Sequence, residues 1–236
     1  MGDGLERAPK QGDLIVTGGF TQIDGQSFPG IARFDGSTWH AFGTFGPLVL
    51  HVHGGDLYAC GGPLLKWNGS AFATVATPPS GAIDGLHSHA DGFLWARNND
   101  GFNHRILKWT GTQLQTVGTA NDFVHALGSR GSELVAGGRF TSVNGVAAAL
   151  IARWNGASWS AMPAPVSGYS ADAFTELDGD LYAGVNGDPR GFLLRLHNGV
   201  WSGLGTGANG VPQLLVADRA TASVLGSGDI TLAGGV

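Results

Sequence analysis

The sequence predicts an all-β fold built from one four-stranded repeat that recurs along the chain. Three observations support this prediction: a hairpin signature returns about every 40 residues, glycine is abundant, and no segment has the apolar periodicity of a helix. Of the 236 residues, 41 are glycine, which is more than double the usual share of about 7%. Because these glycines follow no collagen-like period, they indicate many tight turns between short strands.

The hairpin signature is a basic residue, a bulky residue, a polar residue and a glycine, followed by another bulky residue. It is clearest at residues 153–159, which read RWNGASW. The signature glycines are Gly36, Gly69, Gly111, Gly156 and Gly199, and subtraction gives spacings of 33, 42, 45 and 43 residues. Asp-Gly and Asn-Gly favour type I′ turns, because both central residues need positive φ. Each copy is therefore expected to be a tight hairpin joining the last two strands of a repeat.

An apolar segment precedes each hairpin and is expected to be the second strand of the repeat. Before every predicted second strand except that of the first repeat lies another apolar segment, which is expected to be the first strand. The predicted first strands lie at residues 47–52, 86–89, 124–127, 171–174 and 211–217. The predicted second strands, most of which end in small residues, lie at residues 14–19, 57–62, 93–98, 134–138, 181–185 and 230–235. In the first and fourth repeats a longer insertion follows the second strand, and it is predicted to be a surface loop on one rim.

A single four-stranded sheet cannot bury both of its faces, whereas repeats stacked around an axis can. The sequence therefore predicts an N-terminal tail at residues 1–12 and one β-propeller domain at residues 13–236. The predicted repeats are approximately residues 13–45, 46–76, 77–119, 120–162, 163–207 and a partial repeat at 208–236. Five blades are favoured and six are the alternative. The closing blade is expected to combine both termini, which leaves residues 229–236 as a surplus strand.

The glycine doublet at residues 137–138, the strand residue Trp154 and the following Trp159 resemble the repeats of kelch-type β-propellers. The same stretch is similar to repeats of bacterial secreted or surface-associated proteins. This resemblance implies that the doublet and the aromatic residues pack the blades, and that rim loops bind protein or carbohydrate. It also favours an extracellular or cell-surface location. The third repeat departs from the pattern, with residues 97–98 reading Arg-Asn where glycines are expected.

Composition narrows the classes of function. The formal net charge is −5 and the basic residues are scattered, which argues against nucleic acid as a partner. No apolar run approaches the roughly 20 residues of a membrane span, and residues 1–13 lack the apolar core of a signal peptide. The single Cys60 excludes an intrachain disulfide and is expected to be a buried strand residue.

Two His-x-His pairs form a candidate metal site. They are His51 with His53 and His87 with His89, each on a predicted first strand. Alternate strand residues face the same side, and imidazole binds zinc, copper or nickel. If first strands line a central channel, the four rings converge on one ion. The alternative is that these residues line the channel or lie next to turns, and are held by backbone groups and water. No resident cofactor is expected.

No catalytic constellation stands out in the sequence. A glycosidase or lyase site is expected to need two positioned carboxylates, yet the acidic residues lie near predicted strand ends or turns and no pair is singled out. These acids are Asp84, Asp91, Asp100, Asp122, Asp172, Glu176 and Asp178. A basic residue before each hairpin is expected to form a structural ion pair or to lie on a solvated face. These basic residues are Arg33, Lys66, Lys108, Arg153 and Arg195.

Departures from the repeat are where binding residues are predicted, because loops on a rigid scaffold carry function. The third repeat has a distinct polar segment, and so does the fifth. The candidate binding residues are Asn98, Asn99, Asp100, Phe102, Asn103, His104, Asp188 and Arg190. Together with Phe20, Thr21, Phe140 and Thr141, they are expected to form a binding surface on the rim.

The sequence favours a non-catalytic scaffold whose rim loops bind a protein or glycan partner. One alternative is a glycan-active enzyme, a lyase or hydrolase, with its site at the channel mouth. Another is a structural subunit of a surface or fibre assembly, because an open strand edge invites pairing with another chain. Neither nucleic acid nor a membrane span is expected.

Overall fold

The structure is a computed structural model that describes residues 12–43, 48–163, 168–187, 191–204, 210 and 212–228. Each regular element in these residues is a β-strand, and the sheets are antiparallel, which confirms the all-β prediction. The described residues contain no helix long and apolar enough to cross a membrane. The chain divides into two compact units, Met1–Leu86 and His87–Val236.

The first compact unit holds a three-stranded sheet and a four-stranded sheet. The three-stranded sheet consists of β1 (Leu14–Thr17), β4 (Ile31–Phe34) and β5 (Trp39–Ala41). Between β1 and β4 lies a small hairpin of β2 (Gln22–Ile23) and β3 (Gln26–Ser27). The four-stranded sheet consists of β6 (Val49–His53), β7 (Asp56–Cys60), β8 (Leu64–Trp67) and β9 (Phe72–Ala76). The next strand, β10 (Ala82–Ser88), has residues in both compact units.

Aromatic side chains of the hairpins form the core of the first compact unit. The ring of Phe42 stacks on Trp67 with centroids 4.2 Å apart, and the edge of Phe72 packs 6.0 Å from Phe42. Ile31 and Leu65 complete this cluster. Trp67 and Phe72, the bulky residues of the second hairpin, are therefore core residues, and Cys60 is buried as expected.

The second compact unit follows the predicted four-stranded repeat closely. It contains two complete four-stranded sheets. The first consists of β14 (Val124–Arg130), β15 (Glu133–Gly138), β18 (Ile151–Trp154) and β19 (Trp159–Ala161). The second consists of β20 (Ser170–Leu177), β21 (Asp180–Asn186), β22 (Phe192–His197) and β23 (Val200–Gly203). Ahead of them lie β11 (Leu94–Asn99), β12 (His104–Trp109) and β13 (Leu114–Ala120).

The C-terminal part of the chain contains a strand that the sequence analysis did not predict. There, β24 (Pro212–Asp218) pairs with β25 (Ser223–Gly228) in a two-stranded sheet. The segment of β25 reads SVLGSG, and its two glycines and two serines weaken the apolar pattern of a strand. The surplus strand predicted at residues 229–236 lies outside the described residues.

The insertion of the fourth repeat is an ordered hairpin rather than an open loop. Its strands are β16 (Ser142–Val143) and β17 (Val146–Ala147), and Val143 pairs with Ala120 at the edge of β13. The Asn121 side chain accepts hydrogen bonds from the backbone N–H groups of Thr141 and Ser142. Phe140 is fully buried, so its predicted place on a binding surface is wrong.

The type I′ prediction for the signature turns holds in the fifth repeat, where Asn198 and Gly199 both have positive φ, at 49° and 80°. It is wrong at the turn that begins with Asn155, because Gly156 has positive φ and Asn155 does not. The Asn155 Oδ1 atom accepts hydrogen bonds of 2.9 Å from two backbone N–H groups, and this closes a four-residue loop between β18 and β19. Asp35 and Asn68 do the same in the first two repeats.

The basic residue before each hairpin pairs with an acidic residue before or within the preceding strands of its own repeat. The five ion pairs are Arg33–Asp13, Lys66–Asp56, Lys108–Asp91, Arg153–Glu133 and Arg195–Asp180. Their recurrence confirms that this repeated charge is structural. Each pair joins residues of one repeat, and it ties the third strand to the first residue of the second strand or to the segment just before it.

Candidate functional site

A polar cleft of about 860 Å³ opens in the second compact unit. Its walls come from four successive groups of strands, β11, β14–β15, β20–β21 and β24. The lining residues are Arg97, Asp122, His125, Arg139, Tyr169, Ser170, Asp172, Asn186 and Gln213. Each of these side chains can donate or accept a hydrogen bond, so the cleft suits a polar ligand.

Three of the lining residues occupy equivalent β-bulges. His125 is the extra residue of β14, Asp172 that of β20 and Gln213 that of β24, since the strand register shifts around each of them. Subtraction places them 47 and 41 residues apart, one repeat each. A bulge releases a residue from the strand ladder and re-aims its side chain, and bulges recur next to active sites. The same local irregularity has therefore placed one polar residue per repeat in the cleft.

His125 and Asp172 form the closest polar pair in the cleft. The His125 Nδ1 atom lies 2.5 Å from Oδ1 of Asp172, and both side chains are partly buried. The Ser170 hydroxyl donates a 2.8 Å hydrogen bond to the other carboxylate oxygen, Oδ2. With both oxygens engaged, the carboxylate has a fixed orientation and holds the imidazole ring in one position.

Two arginines add positive charge to the cleft. Arg97 in β11 and Gly137 in β15 occupy equivalent positions. Each is the fourth residue of a segment that begins with leucine, Leu94 in β11 and Leu134 in β15. The departure noted at Arg97 thus places a guanidinium group in the cleft wall. Arg139, which directly follows the glycine doublet, supplies the second. The cleft therefore holds two guanidinium groups, two carboxylates and one imidazole.

Of the binding residues predicted in the third repeat, three hold the repeat together. Asn98 is fully buried and accepts a 3.2 Å hydrogen bond from Arg105. Asn99 exchanges two hydrogen bonds with the backbone of Val124. The buried ring of His104 packs 4.5 Å from that of Phe123. The Asn98 contact joins β11 to β12, and the contacts of Asn99 and His104 link these two strands to the start of β14.

The loop between β11 and β12 carries the other predicted residues of this repeat. Asp100 Oδ1 accepts hydrogen bonds from the backbone N–H groups of Phe102 and Asn103, so the loop has the same closure as the signature turns. Phe102 at its tip is 94% exposed. Asp188 and Arg190, the candidates of the fifth repeat, lie outside the described residues. The predicted role of this set in binding stays a prediction.

The second histidine pair is joined by a serine. The Ser129 hydroxyl lies 2.7 Å from His87 Nε2 and 2.9 Å from His89 Nδ1. His89 Nε2 lies 3.2 Å from the Ser132 carbonyl oxygen and donates to it, so its Nδ1 accepts from Ser129. The Ser129 side chain and the Ser132 carbonyl thus hydrogen-bond these two rings, and a channel-lining place for them stays a prediction.

The first pair, His51 and His53, lies on β6 in the first compact unit. Burial, together with the nearby His53, lowers the pKa of His51, which favours its neutral form. Among the described residues, no group of three or more His, Cys, Asp or Glu side chains is placed to hold a metal ion. The four-histidine metal site stays a prediction.

The sequence analysis did not single out His125, Gln213 or Ser170, and it named Asp172 without a partner. A signal was nevertheless present, because His125 and Asp172 are the second residues, and Gln213 the third, of the segments predicted as first strands at 124–127, 171–174 and 211–217. In the sequence each of them is an isolated polar residue within an apolar segment. The sequence does not show the β-bulge that turns each side chain into the cleft.

No family model matches the chain, and no curated protein matches it. The kelch resemblance therefore rests on the glycine doublet at residues 137–138 with Trp154 and Trp159, and it stays a prediction. Function is inferred from the chemistry of the cleft.

Proposed function

We propose that this chain is a β-propeller of the kelch type that binds a glycan in the cleft around His125 and Asp172. The observation that carries the proposal is the composition of the cleft wall, which consists almost wholly of hydrogen-bonding side chains drawn from successive repeats. Its volume of about 860 Å³ falls within the roughly 300–1,000 Å³ typical of small-ligand sites.

A glycan fits this wall chemically. Sugar hydroxyls both donate and accept hydrogen bonds, and the cleft offers donors from Arg97 and Arg139 together with acceptors such as Asp122. The amides of Asn186 and Gln213 present both kinds of group. The side chain of Tyr169 adds an amphipathic aromatic ring that is 61% exposed, and such a ring can cover the apolar face of a sugar.

Other ligand classes fit less well. An apolar ligand would leave these polar groups without hydrogen-bond partners, which is costly in a cleft. Nucleic acid requires a basic surface, whereas the two arginines here are balanced by Asp122 and Asp172 and the whole chain carries a net charge of −5. The wall composition favours a hydroxyl-rich ligand of small size.

A glycan array followed by isothermal titration calorimetry tests this proposal. We expect Gln213→Ala to weaken binding of a glycan identified on the array about two- to tenfold, which corresponds to the loss of one or two hydrogen bonds. Gln115→Ala is the matched control, because Gln115 is exposed on β13 and does not line the cleft. Binding by no glycan, or equal affinity of both variants and the wild type, would contradict the proposal.

A second candidate function is the rim-loop binding of a partner, favoured by the exposed Phe102 at the tip of the loop between β11 and β12. Phe102→Ala separates the two candidates in the same calorimetric titration. A glycan that loses affinity with Phe102→Ala and keeps it with Gln213→Ala binds at the rim loop. The opposite result places the glycan in the cleft.

A further inference from the structure

We propose that the cleft is catalytic and cleaves a uronate-containing glycan by β-elimination, with His125 as the general base. This inference rests on the proposed glycan binding and goes beyond it, since it assigns an activity, a substrate class and the group that moves the proton. Three features carry it: the orientation of His125 by Asp172, the two arginines in the same cleft, and the engagement of both Asp172 oxygens.

The hydrogen bond from His125 to Asp172 determines which ring nitrogen can act. An ionised carboxylate only accepts hydrogen bonds, so the proton of the neutral imidazole lies on Nδ1. The lone pair then lies on Nε2, and no described residue makes a hydrogen bond to that atom. Imidazole exchanges protons near neutral pH and is the commonest general base in proteins. His125 is therefore ready to accept a proton from a ligand in the cleft.

The two bulges make this pair rigid. Both His125 and Asp172 are held on strands, and the flanking residues remain in the strand ladders on each side of the bulge. Ser170 fixes the carboxylate from the opposite side through its 2.8 Å hydrogen bond. A base whose position is set in advance needs no reorganisation during the reaction.

The arginines indicate the substrate class. Guanidinium groups pair with carboxylates in a bidentate geometry, and Arg97 and Arg139 line the same cleft as the base. A sugar that carries a carboxylate at C5 has its acidic C–H bond next to that group. Neutralising the carboxylate stabilises the negative charge that develops when the C5 proton leaves. A uronate can therefore interact with the arginines through its carboxylate and with His125 through its C5 proton.

Hydrolysis is less compatible with the same residues. A glycosidase needs two carboxyl groups on either side of the scissile bond. Asp172 is already committed to His125 and Ser170, which leaves Asp122 as the remaining carboxylate among the residues of the lining. The cleft therefore provides one base, one available carboxylate and two cations, a set that serves proton abstraction rather than hydrolysis.

The elimination balances without a co-reactant. The C5–H bond breaks and its proton moves to His125 Nε2, while its electron pair forms the double bond between C4 and C5. The C4–O bond breaks, and the leaving oxygen takes a proton from water. His125 then returns its proton to solvent. The products are a glycan with a new hydroxyl and a glycan that ends in an unsaturated uronate, which absorbs ultraviolet light.

The test uses the whole chain with oligosaccharides of galacturonate, glucuronate and mannuronate. Ultraviolet absorbance follows the unsaturated product, and calorimetry on the same variants follows binding. We expect His125→Gln to lower the rate about 10²- to 10⁴-fold with binding retained, since that is the usual contribution of a general base. The matched control is His197→Gln, because His197 also pairs with an aspartate, Asp180, at 2.7 Å but does not line the cleft. This control is expected to keep the wild-type rate.

Asp172 is a positioning residue, and the split between kcat and KM separates that role from a merely structural one. The asparagine amide can donate as well as accept, so Asp172→Asn no longer holds the His125 ring in the Nδ1–H tautomer. We expect Asp172→Asn to lower kcat at least about tenfold with KM little changed. The other charged groups that face this cleft, Asp122, Arg97 and Arg139, are unchanged in this variant.

Each result decides between the two proposals. Binding of a uronate with no ultraviolet product overturns the elimination and leaves the proposed glycan binding intact. New reducing ends without ultraviolet absorbance mean hydrolysis, and they also overturn the elimination. If no glycan of any class binds, the proposed function fails and the activity fails with it. Loss of the product in both His125→Gln and His197→Gln would mean that the histidines act on folding, which contradicts the assignment of His125.

Discussion

The Nδ1 atom of His125 lies 2.5 Å from Oδ1 of Asp172, and both residues occupy β-bulges at the same position of consecutive repeats. The strands that carry them, β14 and β20, pack against each other. Their side chains meet because each bulge turns one residue out of its ladder. The bulge therefore recurs at an equivalent position in consecutive repeats and places a polar side chain in the cleft each time. The residue type at this position differs between the repeats, with histidine in one and aspartate in the next.

The tautomer of His125 provides a direct test of this pair. Free neutral imidazole prefers the proton on Nε2, whereas the Asp172 carboxylate holds it on Nδ1. We expect nitrogen-15 NMR of the wild type to show a protonated Nδ1 on His125 and Asp172→Ala to move the neutral ring towards the Nε2–H form. Asp180→Ala, which removes the partner of His197 instead, is the control and should leave the His125 signals unchanged.

The glycine doublet is expected to be sensitive to even one added methyl group. A Cβ atom built on Gly137 would lie 2.5 Å from Cζ of Phe174 and 2.9 Å from the carbonyl oxygen of Ala171. Because both neighbours belong to the next first strand, Gly137→Ala should lower the free energy of unfolding by about 1–3 kcal/mol. Urea denaturation followed by tryptophan fluorescence measures this change.

Gly62→Ala is the matched control for that substitution. A Cβ atom at Gly62 meets no heavy atom within 4 Å, and the backbone there does not adopt the left-handed conformation. We expect stability equal to or slightly above that of the wild type, because alanine restricts the unfolded chain. Equal destabilisation of both variants would show that close packing is not why glycine stands at Gly137.

The five repeated ion pairs should differ in their contribution to stability, because they differ in burial. The side chains of Arg33 and Asp13 are 7% and 6% exposed, whereas those of Lys66 and Asp56 are 36% and 47% exposed. Arg33→Ala leaves a buried carboxylate without this cation, and we expect a loss of about 3–5 kcal/mol in the free energy of unfolding. Lys66→Ala should shift the urea midpoint much less, because water screens the exposed pair. Equal shifts would contradict the role of burial.

Asp35 should make the stability of its hairpin depend on pH. The backbone N–H of Thr38, with the hydroxyl of Ser37 and the ring of His40, lowers the pKa of Asp35 well below the ordinary value of 3.8. A lowered folded-state pKa means that the stabilisation is complete above pH 3.8 and is lost as the pH falls below it. Asp35→Asn keeps the turn acceptor, as Asn68 and Asn155 do, and removes the charge.

The expected result for Asp35→Asn is a stability advantage of the wild type that shrinks on acidification. Thermal unfolding of both proteins between about pH 6 and about pH 2.5 measures it. A constant difference over this range would mean that the carboxylate has no special stabilisation in the folded state.

The sequence by itself was enough to predict most of the strands of the repeat. Alternation between short apolar segments and glycine-rich turns is a local property, and the strands β14, β15 and β18 lie close to their predicted positions. The same holds for the structural role of Arg153 and its equivalents, because a charge repeated in every unit is explained most simply by the repeat itself. The strand β25 was missed because its glycines and serines carry little strand propensity.

Only the tertiary structure decided which residues form the cleft. His125, Asp172 and Gln213 come together because register shifts turn them from their strands, and a register shift depends on how two strands pair rather than on the residue type. The turn at Asn155 also depends on side-chain hydrogen bonds. The Asn155 Oδ1 atom accepts from two backbone N–H groups, and the backbone does not adopt the type I′ turn that an Asn-Gly pair favours by itself. Local pattern thus determined the strands of this protein, and pairing between strands determined where its polar side chains meet.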